Sequence, residues 1–473
     1  MISEPYQNDK DSIKELLKHY DNLRSGKKSI FFEEEAFEKI IDYFDGEEEF
    51  YKALEAAELS VEYFPFSASL LIRKADVLLS CRKYYEALAV LQKSETLNGT
   101  DVNLYILKTD IYLALDQQEK AVEVLEKALR HFDGEEKIEL LFELADVYDD
   151  YEEFDKVFDC LLILLQDDPT NEEALYKICF WTDFTGRNEE SIRLHLNIIE
   201  DHPYNELAWF NLAAAYQGLK LYEKAIDAYQ YAIVIDEKFD YAFRNLGDAY
   251  IRLRKFKEAI EALEKVLELS KPEELIYEAI GHCYDRLKNF AQARFHYRKA
   301  SHLNAENSKL YFKLACTYYN EGQWIMAIKQ LETALKISRN NIDYHLLMGE
   351  CKIELGLVKE AIVCFSSVVR NKSKNIAGWE GLIRCLYQSE YYAEAKMQAE
   401  AALVQTNNKP IILYYLCAVL FALKKPKEAL LQLEMALQAS PRTLNKLVAL
   451  RPAILQNAQV IDMIARTKRK GGK

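Results

Sequence analysis

The sequence predicts an all-α chain folded as a solenoid of stacked helical hairpins, on three observations. In residues 206–239, ELAWFNLAAAYQGLKLYEKAIDAYQYAIVIDEKF, Trp209, Leu212, Ala213 and Tyr216 recur at i, i+3, i+4 and i+7; after a turn carrying Gly218 the spacing returns with Ala225, Ala228, Tyr229 and Ala232. Neither helix of such a hairpin buries its apolar stripe on the other alone, because small residues on one and rings on its partner cover only part of each surface. Copies follow without a gap. Steps of 34 residues lead from Trp209, Leu212, Ala213, Tyr216 and Ala225 to Phe243, Leu246, Gly247, Tyr250 and Ala259, then to Tyr277, Ile280, Gly281, Tyr284 and Ala293, then to Tyr311, Leu314, Ala315, Tyr318 and Ala327.

Taken in order, residues 1–33 hold one helix, Lys10 to Leu23, with Ile13, Leu16, Leu17 and Tyr20 at helical spacing, followed by a linker, SGKKS. The helix is placed to shield the open end of the first repeat, which has no neighbour there. Three units of 34 residues fill 34–135, after which Glu136 and Lys137 interrupt the register; they are expected in the inter-repeat loop of HFDGEEK, where an insertion costs least. Nine more units fill 138–443, giving twelve. The first and fifth are the least typical. The fifth has Ser191 and His195 where others place Ala and a large apolar side chain, and Trp181 is displaced by one place from its second aromatic position. His195 and His345 replace core residues and read as buried, hydrogen-bonded histidines. Pro65, Pro169, Pro203 and Pro441 stand at the foot of second helices, which proline cannot continue. Residues 444–466 keep helical spacing, broken by Pro452, and read as capping helices over the twelfth unit; 467–473, TKRKGGK, is a short basic tail that reads as a solvating end.

Spacing and chemistry together resemble the tetratricopeptide repeat, whose 34-residue W-x2-L-G-x2-Y…A-x3-F…P pattern is matched place by place. The resemblance implies a right-handed superhelical solenoid whose concave wall is built mainly from the first helix of each unit. It also implies a non-catalytic scaffold or adaptor that holds protein or peptide partners on that wall.

Composition narrows the field. Charged residues make up 29% of the chain, with only 15 Gly and 9 Pro, which fits a soluble helical protein with short turns. The N-terminus, MISEPYQNDKDSIKE, is polar and acidic where a signal peptide needs a basic start and an apolar run, and no apolar stretch is long enough to span a bilayer. The 9 cysteines include no CxxC pair, and Cys179, Cys283, Cys351 and Cys385 fall where small core residues belong; they read as reduced thiols of a cytoplasmic protein. The net charge of -15 hides a gradient. Residues 34–171 carry 34 acidic against 13 basic residues, a net of -21, whereas 410–473 carry 11 basic against 3 acidic, a net of +8. The acidic end disfavours nucleic acid as a partner.

First-helix places outside the core stripe read along the array as columns. The residue after the small core position is Asp42, Asp76, Asp110 and Asp146 in units one to four, backed by Glu38, Asp45, Glu143, Asp149 and Asp150. Such a strip suits a basic partner; a solvated acidic face, or aspartates hydrogen-bonded within their own turns, are the competing readings. The column continues as Phe180, Ala214, Asp248, His282, Cys316, Glu350, Arg384 and Ala418, and the wall becomes mixed and more aromatic. Asn211, Arg244, Asn245, Arg252, Phe312, Lys313 and Tyr319 there suit a second, peptide-binding segment, although some rings can equally seal contacts between units. Asn211 and Asn245 resemble the start of the family's asparagine ladder, whose next rungs here are Ala279 and Lys313. The family's carboxylate clamp is interrupted at Ala279 and opposed by Asp248 and Glu278.

No GxxxxGK, HExxH or GxSxG motif occurs, and no cofactor is expected. His282 and Cys316 share one column but lack an orienting third group. The opposite charges of the two ends leave head-to-tail self-association as an alternative, and regulation of an enzyme on another chain as a further one.

Overall fold

The computed structural model describes residues 6–25 and 32–470, in two compact units, Met1–Glu237 and Lys238–Lys473. Among the described residues every regular element is helical. In the first unit α1 (Tyr6–Arg24) is followed by the pairs α2/α3 (Glu34–Gly46, Phe50–Tyr63), α4/α5 (Ala68–Ser80, Tyr84–Leu97), α6/α7 (Val102–Ala114, Gln118–Ala128), α8/α9 (Glu135–Asp150, Phe154–Asp167), α10/α11 (Glu172–Thr185, Asn188–Asp201) and α12/α13 (Glu206–Gly218, Tyr222–Ile235). Helix α1 begins earlier than its apolar spacing predicts. It lays Tyr20 into the core of the first hairpin with Leu16, Leu17 and Leu23 packed beside it, and Arg24 pairs with Glu55 at 2.7 Å. Most of the expected SGKKS linker lies outside the described residues.

The second unit continues with α14/α15 (Asp240–Arg252, Phe256–Leu269), α16/α17 (Glu274–Arg286, Phe290–Leu303), α18/α19 (Ser308–Asn320, Trp324–Ile337), α20/α21 (Ile342–Glu354, Val358–Asn371), α22/α23 (Ile376–Gln388, Tyr392–Gln405) and α24/α25 (Pro410–Ala422, Pro426–Ala439). Helices α26 (Leu444–Leu450) and α27 (Ala458–Lys470) close it, so helix runs into the expected basic tail, whose last residues lie outside the described ones. Helix α24 is apolar all round and buries every side chain from Ile412 to Leu420; α26 packs on it and α27 on α25, with Leu447, Ile454 and Val460 in the same core.

One position explains why each hairpin closes. Ala53, Ala87, Ala121 and Ala225 in the first unit, and Ala259, Ala293, Ala327, Ala361, Ala395 and Ala429 in the second, are fully buried near the start of the second helix; Val157 and Ser191 take the place in α9 and α11. A methyl-sized group there lets the two helices approach, and larger neighbours fill the gaps beside it. At two hairpins a glycine of the first helix faces a large ring. A Cβ on Gly281 would lie 2.7 Å from the ring of Tyr297, and one on Gly349 would lie 2.6 Å from Phe365.

Two expectations need correction. Glu136 and Lys137 lie in the first turn of α8, not in a loop. Helix α8 is 16 residues long where α6 has 13, because residues added to a helix extend its backbone hydrogen-bond ladder. His345 is only half-buried. It takes the place of Trp209 and Trp379 and, like their indoles, donates to the carbonyl six residues earlier: His345 to Arg339 at 2.9 Å, Trp209 to Pro203 at 2.9 Å, Trp379 to Ser373 at 2.7 Å.

Many successive first helices pack on one another, α2 on α4, α4 on α6, α6 on α8 and α10 on α12 in the first unit and α18 on α20, α20 on α22 and α22 on α24 in the second, while second helices pack mainly on the first helices to either side. The wall of first helices is therefore the shorter, inner one in each unit.

Candidate protein-binding surface

The residues preceding the aspartate column, Ile41, Ala75, Thr109 and Ala145, are buried in the core. A step of one residue turns about 100° around a helix, so Asp42 on α2, Asp76 on α4, Asp110 on α6 and Asp146 on α8 emerge at the rim of the core, on the first-helix wall. Burial raises the carboxyl of Asp76, and Asp45 and Asp42 raise it further against the pull of Arg73. Burial and then Asp76 raise Asp110. Burial also leads for Asp42, opposed by Arg73 and reinforced by Glu38 and Asp45. Glu143, one helical turn before Asp146, is pushed up to about 7 by burial, then by Asp110, Asp146, Glu139 and Asp150. Asp76, Asp110 and Glu143 thus each sense a carboxylate on the preceding hairpin, which links the acidic surfaces of the four repeats.

Counter-charge is sparse along this strip. Arg73 lies 3.6 Å from Asp42 and 3.9 Å from Asp76, and Lys177 of α10 lies 3.7 Å from Asp146. All three are loose, half-exposed contacts of the kind that contribute little to stability. Between α2, α4 and α6 opens a groove of about 370 Å³ lined by Glu38, Ser69, Ile72, Arg73, Asp76, Asp101, Asn103, Ile106, Leu107 and Asp110. Asp149 and Asp150 extend the acidic surface at the exposed C-terminal end of α8.

Next to the strip stand rings that the repeat arithmetic only half revealed. Phe180 falls at the aspartate place of α10 and was expected in the column; Tyr176 and Phe184, one turn to either side, were not singled out. Their signal was the i, i+4, i+8 spacing of aromatics on a helix whose core needs are already met by Leu175, Ile178 and Trp181.

The second set of expected residues is distributed differently. Asn211 is a correction: it is only 2% exposed, and its amide donates to the Leu175 carbonyl at 2.7 Å and faces His195 Nε2 at 3.2 Å. It belongs to a buried network in which His195 Nδ1 donates to the Ser191 carbonyl at 2.7 Å, and burial holds His195 down at about 4. The cations of the second unit are already engaged. Arg244 pairs with Glu273 at 2.8 Å, Arg252 with Asp248 at 3.4 Å, and Lys313 with Glu278. Phe312 packs on the buried ring of Tyr344 at 5.0 Å and so joins neighbouring hairpins. Asn245 and Tyr319 are partly exposed on α14 and α18. Burial raises the Tyr319 phenol, followed by Glu350 and Glu354; Glu350 itself accepts two hydrogen bonds from Arg384, at 2.7 and 2.6 Å.

Cys316 is pushed up to about 11, first by burial and then by Asp285, so its thiol stays protonated at neutral pH and is a poor nucleophile. Among the described residues no group of three His, Cys, Asp or Glu side chains is placed to hold a metal, and no helix is long and apolar enough to cross a membrane.

A family model of the tetratricopeptide repeat matches residues 102–130, and one described as the Tetratricopeptide repeat protein 21 C-terminal ARM domain matches residues 187–345. Over the residues that these models match, the chain carries tetratricopeptide-like repeats. Solved structures of similar build include MamA protein (22% identity over 36% of this chain and 92% of that one, TM-score 0.35). Others are the APC/C hetero-tetramer Cut9-Hcn1 (12%, 84% and 96%, 0.34) and the C-terminal part of a TPR repeat-containing protein from Cytophaga hutchinsonii (17%, 54% and 99%, 0.44). No curated protein matches the chain.

Proposed function

We propose that this protein is a non-catalytic scaffold or adaptor, and that the aspartate strip of α2, α4, α6 and α8 holds a basic segment of a partner protein. The observation that carries this reading is the line of carboxylates on four successive first helices, beside which, among the described residues, only Arg73 and Lys177 form ion pairs with the column. At ~10 Å in water two such charges repel by only ~0.4 kcal/mol, so the fold tolerates the column while its summed field attracts a cationic ligand. The engaged cations of the second unit favour a structural role for Arg244 and Lys313, with Asn245 and Tyr319 left as the exposed polar contacts of any peptide there.

The test is binding of an arginine-rich peptide to wild type and to Asp76→Asn, Asp110→Asn, Asp146→Asn. The triple variant should bind at least about tenfold more weakly, show a flatter salt dependence and melt within a degree or two of wild type. Wild-type affinity should also fall between pH 8 and pH 6, as Glu143 takes up a proton and the strip loses one charge. Unchanged affinity in the triple variant refutes the strip as a binding site.

A further inference from the structure

The acidic strip ends against a second chemistry. Tyr176, Phe180 and Phe184 form a row along α10 and are 60%, 60% and 57% exposed. The row is held in place from beneath: Phe184 meets Phe154 edge-on at 4.8 Å, and Phe180 meets Trp181 at 5.0 Å. Lys177 shares this face, three residues before Phe180 and seven before Phe184, and it reaches Asp146. Rings and aspartate therefore open onto the same space. Fixed, exposed aromatic surface offers contact area at small entropic cost.

We infer that this aromatic row is the apolar anchor of the same site, accepting a leucine-sized side chain that adjoins a run of basic residues in one extended partner segment. The inference rests on the scaffold reading above. Charge complementarity chooses the occupant: an apolar segment without cations leaves the strip unanswered, and a purely basic one leaves the rings in water. Geometry sets its register. Packed helices lie about 8–10 Å apart and an extended chain advances about 3.3 Å per residue. Cations at every third position then meet successive aspartates, and the next third position meets Phe180, the following member of the column.

Fluorescence anisotropy with the full chain tests this, using the peptide (Arg-Ser-Ser)4-Leu, its counterpart ending in Ser, and both in reversed order. One leucine peptide should bind about tenfold more tightly than its serine counterpart. F180S/F184S should remove that advantage while leaving the serine peptide's affinity and the circular dichroism melt unchanged. Equal affinities of leucine and serine peptides in both orders overturn the anchor, as does a leucine advantage that persists in F180S/F184S. The aspartate triple variant keeps the two claims apart: if it weakens every peptide although leucine gives no advantage, the strip stands and the anchor falls. If no peptide binds wild type, both fall.

Discussion

At the scale of single residues, the informative positions are those where a polar group enters the core. His195 is fully buried, and its two ring nitrogens are used by Ser191 and Asn211, so the neutral imidazole is what the fold accommodates. Its folded-state value of about 4 lies below the ordinary 6.5. The stability it contributes is therefore fully present above pH 6.5 and is lost as pH falls toward 4, by up to about 3 kcal/mol at ~1.36 kcal/mol per unit. Chemical denaturation at pH 7 and pH 4.5 should show a smaller acid loss in His195→Gln than in wild type; equal losses would mean that the imidazole is already charged in the folded state. The sequence marked His195 correctly because Ser191 and His195 together break the small and large pattern of their repeat. It misled at Asn211, whose place in the column is the same as that of Asn245, because no periodicity reveals that the histidine of the preceding helix draws the amide inward.

At the scale of elements, helix ends are set by chemistry that recurs with the repeat. Asn171, Asn205, Asn307, Asn341 and Asn375 cap first helices through their side-chain oxygens. The turns inside hairpins use a left-handed residue at the same place each time, from Glu48 and Arg82 to Glu390 and Lys424, and glycine fills it only at Gly186, Gly322 and Gly356. Most of these turns therefore accept a side chain where glycine would relieve strain. Helix–helix approach is less forgiving. Gly281→Ala should cost about 1–3 kcal/mol, read as a lowered Tm, because the new methyl meets the fully buried ring of Tyr297, and adding Tyr297→Leu should recover part of the loss. No recovery would place the strain in the α16 backbone. The Asn caps follow the 34-residue step but are replaced by Phe239 and Glu273 in the second unit; the lengthening of α8 was not legible, since the insertion fits loop and helix equally on paper.

At the scale of the molecule, stacked repeats need closed ends. Helix α24 has no polar face to turn toward water, and α26 covers it in the second unit while α27 covers α25. Deleting residues 444–473 should give concentration-dependent association by light scattering while α-helical circular dichroism persists. A monodisperse truncated chain would show that α24 is not uncovered by the deletion. The opposite charges of the two chain ends belong to this scale too, as the ground for head-to-tail association of copies.

By itself the sequence determined the hairpin, its period, the alanine at most crossings and the run of aspartates, because these follow from local spacing that recurs every 34 residues on either side of one two-residue insertion. Tertiary structure alone decided which polar groups on the shared wall are already spent. Arg244, Lys313 and Asn211 close contacts inside their own units, while Asp146 and the rings of Phe180 and Phe184 are exposed. The physical reason is reach: a long cation or a buried amide finds its partner on a neighbouring helix, a distance that no one-dimensional column records.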